Sequence, residues 1–495
     1  MRRMKQYVIV GNSIAAVGCI EGIRREDRES PITVVSKEPY AVYGRPLISY
    51  YLEGKTDLER MKYRPDDFYE KNGCTVLYGK TAVKLDENNR QVLLDDGTAL
   101  PYDELCVATG SSPFVPPFEG LDTVENQFPF LTLDDALALE KVVTPSSRVL
   151  IIGAGLIGLK CAEGLAERAG EITVCDLAGH VLSSILDETC AGIVAETLEA
   201  NGIRLMLGDS VARFDGQTAF MKSGSTVEFD VLVLAVGVRA NTSLVKDAGG
   251  ETDRGILVNA KMETSLPHVY AAGDCTQGDE LLSGQKKVLA LLPNAYMQGQ
   301  CAGVNMAGGE EVFDKAIAMN AIGFFGLHLM TAGCCFPEEE GGKIYEESIP
   351  GGVKRLFTRN GFLTGFMLIG ATDRAGIYTA MIREQVPLET VEAIRQSEDR
   401  QCELEGCCGQ RFLAAGMSQR KITIEGVPGN ALGAYLDGAE IVVNGNAQDA
   451  VGDTMNEGKI VIHGNIGDAA GYAMRGGKIF VRDNAGYRAG IHMKA

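Results

Sequence analysis

The sequence predicts an α/β chain with two doubly wound nucleotide-binding sheets that ends in a repetitive β segment. Three observations predict it. A glycine-rich turn follows an apolar run at Val8-Ile9-Val10-Gly11-Asn12-Ser13-Ile14-Ala15-Ala16. A second follows Val149-Leu150-Ile151-Ile152, at Gly153-Ala154-Gly155-Leu156-Ile157-Gly158. Near the C-terminal end, glycines and isoleucines recur every 19 residues. Each glycine turn lies between a strand-like run and a helix-like segment, the setting in which such turns cradle a dinucleotide pyrophosphate. Two of them imply two dinucleotides, the arrangement of a flavoprotein that takes hydride from a nicotinamide and passes electrons on.

The chemistry of each turn is set position by position. The first glycine permits the tight turn, the second lets backbone approach the pyrophosphate, and the third lets helix meet strand. The helix N-terminus adds unpaired N–H groups and a partial positive charge. The second turn has glycine at all three places, Gly153, Gly155 and Gly158; the first has Gly11, Ser13 and Ala16.

Composition bounds the rest. A chain of 495 residues holds about three or four domains. A net charge of −19 argues against nucleic acid or an anionic membrane surface as partner. The start, Met1-Arg2-Arg3-Met4-Lys5-Gln6, leads straight into the first strand. No signal peptide or bilayer-length apolar run is visible, so a cytoplasmic protein is expected. The 13 cysteines are scattered and odd in number, which fits a reducing compartment.

Residues 1–118 read as the first part of one nucleotide domain. Strand Ile32-Thr33-Val34-Val35 ends near Glu38, the first acid able to hold an adenosine ribose, with Ser36 directly after the strand. Leu105-Cys106-Val107-Ala108-Thr109-Gly110 is a strand ending in a small-residue turn that allows close cofactor approach. Residues 119–239 read as an inserted second nucleotide domain. Its strand Ile172-Thr173-Val174-Cys175 ends at Asp176, 23 residues after Gly153. An acid there accepts ribose 2′-hydroxyl hydrogen bonds and repels a 2′-phosphate, and no arginine follows, so NAD is favoured over NADP. The domain closes at Val231–Gly237. The chain then returns to the first domain, over 240–318, through Val269-Tyr270-Ala271-Ala272-Gly273-Asp274 and a helix near Asn294–Gln300.

The ordered set of a G-x-S-x-x-A start, an A-T-G strand end, a G-x-G-x-x-G insert and a Y-A-A-G-D return resembles the pyridine nucleotide–disulfide oxidoreductase superfamily over roughly residues 5–385. The resemblance implies FAD on the first cradle and NAD on the second. It places Asp274, beside Gly273, on the ribityl–pyrophosphate chain, and Tyr43-Gly44-Arg45-Pro46-Leu47-Ile48-Ser49 along the flavin. It also implies that residues 319–398 form an α+β interface domain, with a hairpin from Gly352–Phe357 and Gly365–Gly370. The departures are informative. Disulfide reductases of the superfamily carry a C-x4-C pair where this chain has Gly44-Arg45-Pro46, so a thiol relay is not expected. The Y-x-R-P-L-I-S stretch is similar to the NADH:rubredoxin and nitrite reductase branch. Relatives there often have a lysine where this chain has Tyr50, and a glutamate where it has Lys160; here the glutamate comes three residues later, at Glu163. Arg45, Tyr50, Lys160 and Glu163 are therefore the candidates for work at the flavin and nicotinamide.

Residues 399–414 read as a linker, preceded by a short helix at 389–395. Cys402, Cys407 and Cys408 lack a fourth spaced cysteine for an iron–sulfur cluster of their own, though a site shared with a partner stays open. From 415 to 495 the repeat takes over. Gly433, Gly452, Gly471 and Gly490 are in phase, as are Ile422, Ile441, Ile460 and Ile479, and Gly426, Gly445 and Gly464, with Asp483 breaking the last series. Units this short bury their apolar faces only by stacking, at about 4.8 Å per coil. The expectation is a right-handed parallel β-helix of about four coils, one that ends in mid-coil and so serves as an assembly surface. The units resemble the C-terminal domain of the glutamate synthase large subunit.

Nothing in the sequence activates a nucleophile, and the five histidines are dispersed. The functional expectation is an NADH oxidoreductase that passes electrons through FAD to an iron–sulfur or FMN-containing partner, as the electron-input subunit of a glutamate synthase-like complex. The alternatives are a stand-alone NADH:rubredoxin or nitrite reductase-type flavoprotein, and a scaffold subunit with an idle flavin. Association through the β-helix and interface domain, with a partner or another copy, is expected. No metal site is expected.

Overall fold

The computed structural model describes residues 4–335, 342–388, 401–487, 489, 490 and 493. They fall into two compact units: one holds the residues through Thr331 with Pro350–Gly352, the other Ala332–Ile349 and the residues from Val353 onward. The first unit contains, in chain order, β1 (Tyr7–Val10), α1 (Ile14–Glu26), β2 (Ile32–Ser36), α2 (Leu47–Leu52), β3 (Cys74–Tyr78), β4 (Glu104–Val107), β5 (Gln127–Pro129), β6 (Arg148–Ile152), α3 (Leu156–Leu165), β7 (Glu171–Asp176), β8 (Ile203–Leu207), β9 (Val231–Leu234), β10 (Val269–Ala271) and α4 (Leu292–Met306).

The apolar runs form two parallel five-stranded sheets. One runs β10-β4-β1-β2-β3 and the other β8-β7-β6-β9-β5. β1, β4 and β9 are buried along their whole length, as strands covered on both faces must be. β1 and β6 hold the same central place, so both glycine turns leave the carboxyl end of a central strand where the strand order reverses. That crevice is where open α/β sheets bind ligands.

Helices α1 and α4 touch backbone to backbone. Gly18 and Gly22 of α1 face α4, and Gly299 and Gly303 of α4 face α1. A Cβ at Gly18 would lie 2.2 Å from the Tyr296 carbonyl oxygen, and one at Gly299 would lie 2.0 Å from that of Ala15. Any side chain there would push the return helix away from the first cradle.

In the second unit β11 (Gly352–Arg359) and β12 (Phe362–Ile369) form the antiparallel hairpin expected. Five strands follow: β13 (Gln401–Cys408), β14 (Lys421–Val427), β15 (Asp437–Asn444), β16 (Glu457–Ile462) and β17 (Lys478–Val481). They make one parallel ladder in sequence order. Its register aligns Cys402, Ile422, Ile441, Ile460 and Ile479 in a single column. Ile422, Ile441 and Ile460 are buried, so the isoleucine phase seen in the sequence is the core of this ladder. Polar ladders run beside it. Asn446 Oδ1 accepts from the Asn465 amide at 2.8 Å, and Asn465 Oδ1 from the Asn484 amide at 3.2 Å. Asp449 Oδ1 accepts from Asp468 N at 2.8 Å, and Asp468 Oδ1 from Tyr487 N at 2.7 Å. Each side chain thus satisfies a turn amide one repeat later, 19 residues on.

The expected linker is corrected here. Residues 401–408, within the span 399–414, form β13 and pair with β14. The glycine phase hides this step because Phe412 and Ala414 hold positive φ (55° and 57°) in the positions that Ala431 and Gly433 occupy next. A register shift between Leu404 and Cys407 also breaks the spacing. The helix expected at 389–395 lies outside the described residues. No helix among the described residues is long and apolar enough to cross a membrane.

Candidate functional site

The first cradle is built by β1, β4 and the return strand β10. Gly11 has φ +119°, and a Cβ on it would lie 2.0 Å from the Ala108 carbonyl oxygen, so only glycine fits. Ala108 N in turn donates to Val10 O at 2.8 Å, which locks the two strand ends together. Ser13 caps α1 in extended conformation without using its hydroxyl as a cap, and Ile14, Ala15 and Ala16 form the buried first turn. That turn leaves backbone N–H groups without intrahelical partners, a ready anion site. Gly273, at φ +84°, brings the return segment so close that a Cβ would lie 3.0 Å from the Ala15 Cβ. Thr109 and Gly110 are clasped by Asn241, which takes Thr109 Oγ1 on its carbonyl oxygen at 2.9 Å, gives its side-chain amide to Thr109 O at 2.8 Å and its backbone N–H to Gly110 O at 2.9 Å.

Acids and Arg45 complete this end. Glu38 forms an ion pair with Arg45, and its other oxygen accepts from the Tyr43 hydroxyl at 2.6 Å. Burial pushes the Asp274 carboxyl above its ordinary value, opposed by the Arg45 charge and by a hydrogen bond from Ser111. Pro46, next to Arg45, opens α2. The residues singled out for the first dinucleotide thus converge, Tyr43 among them; Ser111 and Asn241 join them through contacts that no local motif encodes.

The second cradle repeats the logic. Gly153 has φ +115°, and its Cβ would lie 2.3 Å from Ala235 O; a Cβ on Gly158 would lie 1.9 Å from Gly153 O. Above Gly155 nothing lies within 4 Å. The outer two glycines are thus demanded by the protein's own packing, while the middle one faces open space that fits a pyrophosphate. Leu156 and Ile157 form the first turn of α3. Asp176, at the end of β7, accepts from Ala154 N at 2.6 Å and from Ala178 N at 2.8 Å, so its carboxylate is anchored at the turn itself. Gly237 holds φ +109° after β9.

Between the cradles, α3 lies on α2: a Cβ at Gly164 would come 3.0 Å from Ser49 O. Lys160 forms an ion pair with Glu163 within α3 and lies 3.9 Å from Glu53 at the end of α2. Its ammonium stands 4.5 Å from the centre of the Tyr50 ring, a cation–π arrangement, and donates to Gly323 O at 3.3 Å. Glu163 also accepts from Phe325 N at 2.7 Å. Of the four catalytic candidates, Tyr50, Lys160 and Glu163 therefore share one cluster, while Arg45 sits in the first with Glu38. Glu53 was missed; its only sequence signal is that it stands three residues after Tyr50 on the same helix.

Residues 5–299 match the family model for pyridine nucleotide-disulphide oxidoreductases. The chain belongs to that family. Its members are oxidoreductases, and FAD and NAD, the pair the two cradles fit, are the cofactors. A second model, the GXGXG motif, matches residues 377–495. The chain is 33% identical over 394 residues to the NADH-dependent phenylglyoxylate dehydrogenase subunit epsilon of Aromatoleum evansii, a match covering 77% of this chain and 92% of that protein. It is 30% identical over 392 residues to the assimilatory nitrate reductase electron transfer subunit of Bacillus subtilis (strain 168), covering 77% of this chain but only 50% of that longer protein. The fold is that of the reductase in the covalent putidaredoxin reductase–putidaredoxin complex, at TM-score 0.71 and 23% identity, covering 80% of this chain and 99% of that one. The chain is thus an NADH-dependent flavoprotein oxidoreductase. Despite the family's name, residues 41–53 contain no cysteine.

Proposed function

We propose that the chain oxidises NADH and delivers the electrons, through FAD, to a separate redox chain. The observation that supports this reading is the joining of two complete cradles by helices that meet at Lys160. FAD, when bound, supplies a two-electron acceptor for hydride and a donor for the next carrier. The N–H groups at Ser13, Ile14, Ala15 and Ala16 hold its pyrophosphate, Gly11 gives the turn that lets them approach, Glu38 holds the adenosine ribose and Asp274, beside Gly273, the ribityl chain. Arg45, Pro46, Ala108, Thr109 and Gly110 line the flavin side. Gly153, Gly155, Leu156, Ile157 and Gly158 hold the NAD pyrophosphate, Asp176 accepts from its ribose, and Gly237 allows close backbone approach. Tyr50, Lys160 and Glu163 orient the reacting rings, a contribution of position rather than of bond making.

In this reading residues 1–118 and 240–318 serve FAD, 119–239 serve NAD, and 319–398 form an interface domain. We read the ladder β13–β17 as one wall of a right-handed parallel β-helix. Its support is the fit of a glycine opposite the isoleucine column: a Cβ at Gly452 would lie 2.6 Å from Ile479 Cδ1. The β-helix serves assembly, and the acceptor is an iron–sulfur or FMN-containing chain of a cytoplasmic, glutamate synthase-like complex; the GXGXG match supports this. A second reading, delivery to a nitrate- or nitrite-reducing partner, is favoured by the likeness to the Bacillus electron transfer subunit.

Anaerobic addition of NADH to the purified holoprotein should bleach the visible flavin band, and isolation of the native complex should bring down a redox chain. A flavin that stays oxidised under excess NADH would overturn the reading.

A further inference from the structure

Glu53 is a buried carboxylate that the fold does not need for charge balance. Its side chain is 7% exposed, and among the described residues it accepts no backbone hydrogen bond. Lys55 pairs with it from a side chain that is 62% exposed. The nearest buried cation, Lys160, already has its own partner one helical turn away in Glu163, which is 6% exposed. Removing the Glu53 charge would leave Lys160 and Glu163 balanced, whereas keeping it places a second acid beside a single buried ammonium. A buried acid whose ion-pair partner is mostly in water, and whose buried neighbour is already paired, contributes little to stability, so stability does not account for this residue.

What Glu53 can do and Glu163 cannot is act across the helix gap. Glu163 holds Lys160 to its own helix, α3. Glu53, at the end of α2, draws the same ammonium toward α2, where the Tyr50 ring receives it 4.5 Å from its centre. α2 directly follows the Arg45–Pro46 turn of the first cradle, and α3 opens directly from the second. The ammonium thus bridges the two helices that leave the two cradles.

We propose that Glu53 is a positioning residue for hydride transfer: by holding Lys160 between α2 and α3 it sets the placement of the nicotinamide cradle against the flavin cradle. The inference rests on the reading of the cradles given above. It gives Glu53 no contact with either cofactor, so binding of each should survive its loss while transfer between them suffers.

The test uses the full-length holoprotein with Glu53→Gln, Glu53→Asp, Lys160→Met and the Glu53→Gln/Lys160→Met double variant. Glu53→Gln should keep its flavin, and its flavin-free form should melt no lower than wild type. The rate of flavin reduction at saturating NADH should fall about tenfold, since ångström-scale misplacement of reacting groups costs up to about a hundredfold. The NADH concentration at half-saturation should stay within about twofold, because uniform binding is untouched. Glu53→Asp should recover most of the rate. In the Lys160→Met background, Glu53→Gln should slow reduction no further. Wild-type reduction by Glu53→Gln would overturn the proposal, as would an equal slowing in the Lys160→Met background. A lowered melting point or failure to fold would overturn it too, by making Glu53 a structural residue. Wild-type protein that NADH does not reduce would instead bring down the reading of the cradles, and this proposal with it.

Discussion

Asp274 holds its carboxyl in a poorly hydrated place, and its proton affinity should report on the flavin. Burial raises its value in the folded chain, against Arg45 and Ser111. A raised carboxyl favours the neutral form: the stability it contributes is present below the ordinary carboxylate range and is lost as pH rises through the folded value. Flavin hydroxyls would donate to the charged form, so FAD affinity should rise with pH through that same value. Asp274→Ala should lose most of the flavin, and Asp274→Asn should show a flatter dependence of FAD affinity on pH in fluorescence titrations. Parallel curves for Asn and wild type would remove Asp274 from the site. At the second cradle, Asp176 sets coenzyme choice by opposing a 2′-phosphate. Asp176→Ser should narrow the NADH-to-NADPH ratio of flavin reduction rates by about tenfold or more, since like charges in contact cost several kcal/mol. An unchanged ratio would place specificity elsewhere. The positions of these two acids are legible in the sequence because each follows a strand of a βαβ unit. Their partners are not: Ser111 reaches Asp274 only through tertiary packing.

Among the elements, the repeat ladder shows how a period becomes a core. Its left-handed residues recur as Ala431, Gly433 and Tyr435, then Ala450, Gly452 and Thr454. At Gly452, φ is +66° and a Cβ would crowd Ile479, whereas Ala450 already carries a Cβ at φ +56°. Gly452→Val should therefore cost about 1–3 kcal/mol through overpacking together with left-handed strain. Ala450→Gly should stay within about 1 kcal/mol, because relief of strain offsets the added chain entropy. Hydrogen exchange of the β15–β17 amides should show the difference, and equal protection in the two variants would contradict it. The strands from Lys421 onward were visible as a phase of isoleucine and glycine. β13 was not, since its step substitutes Phe412 and Ala414 for the expected small turn residues and slips register near Cys407.

For the whole molecule, every residue of both cradles and of the Lys160 cluster lies in the unit that ends at Thr331, while the ladder belongs to the other. Redox chemistry and assembly should therefore separate. A chain ending near residue 400 should bind FAD and be reduced by NADH, yet fail to enter its native complex or to pass electrons to the physiological acceptor. Assembly and turnover like the full chain would refute this division. Loss of NADH-dependent reduction in a folded truncated chain would place the ladder in the active site.

By itself the sequence determined the two cradles, their order, the lack of a cysteine pair over residues 41–53 and the 19-residue period. These are local: a glycine at positive φ after an apolar strand, or an isoleucine at a fixed spacing, carries its meaning within a few residues or recurs in phase. Tertiary structure alone decided the contact of α1 with α4, the clasp of Asn241 on the Thr109–Gly110 turn, and the meeting of Glu53, Tyr50 and Lys160. In these, residues far apart in the chain act together, and burial strengthens charged contacts that no spacing in the sequence encodes.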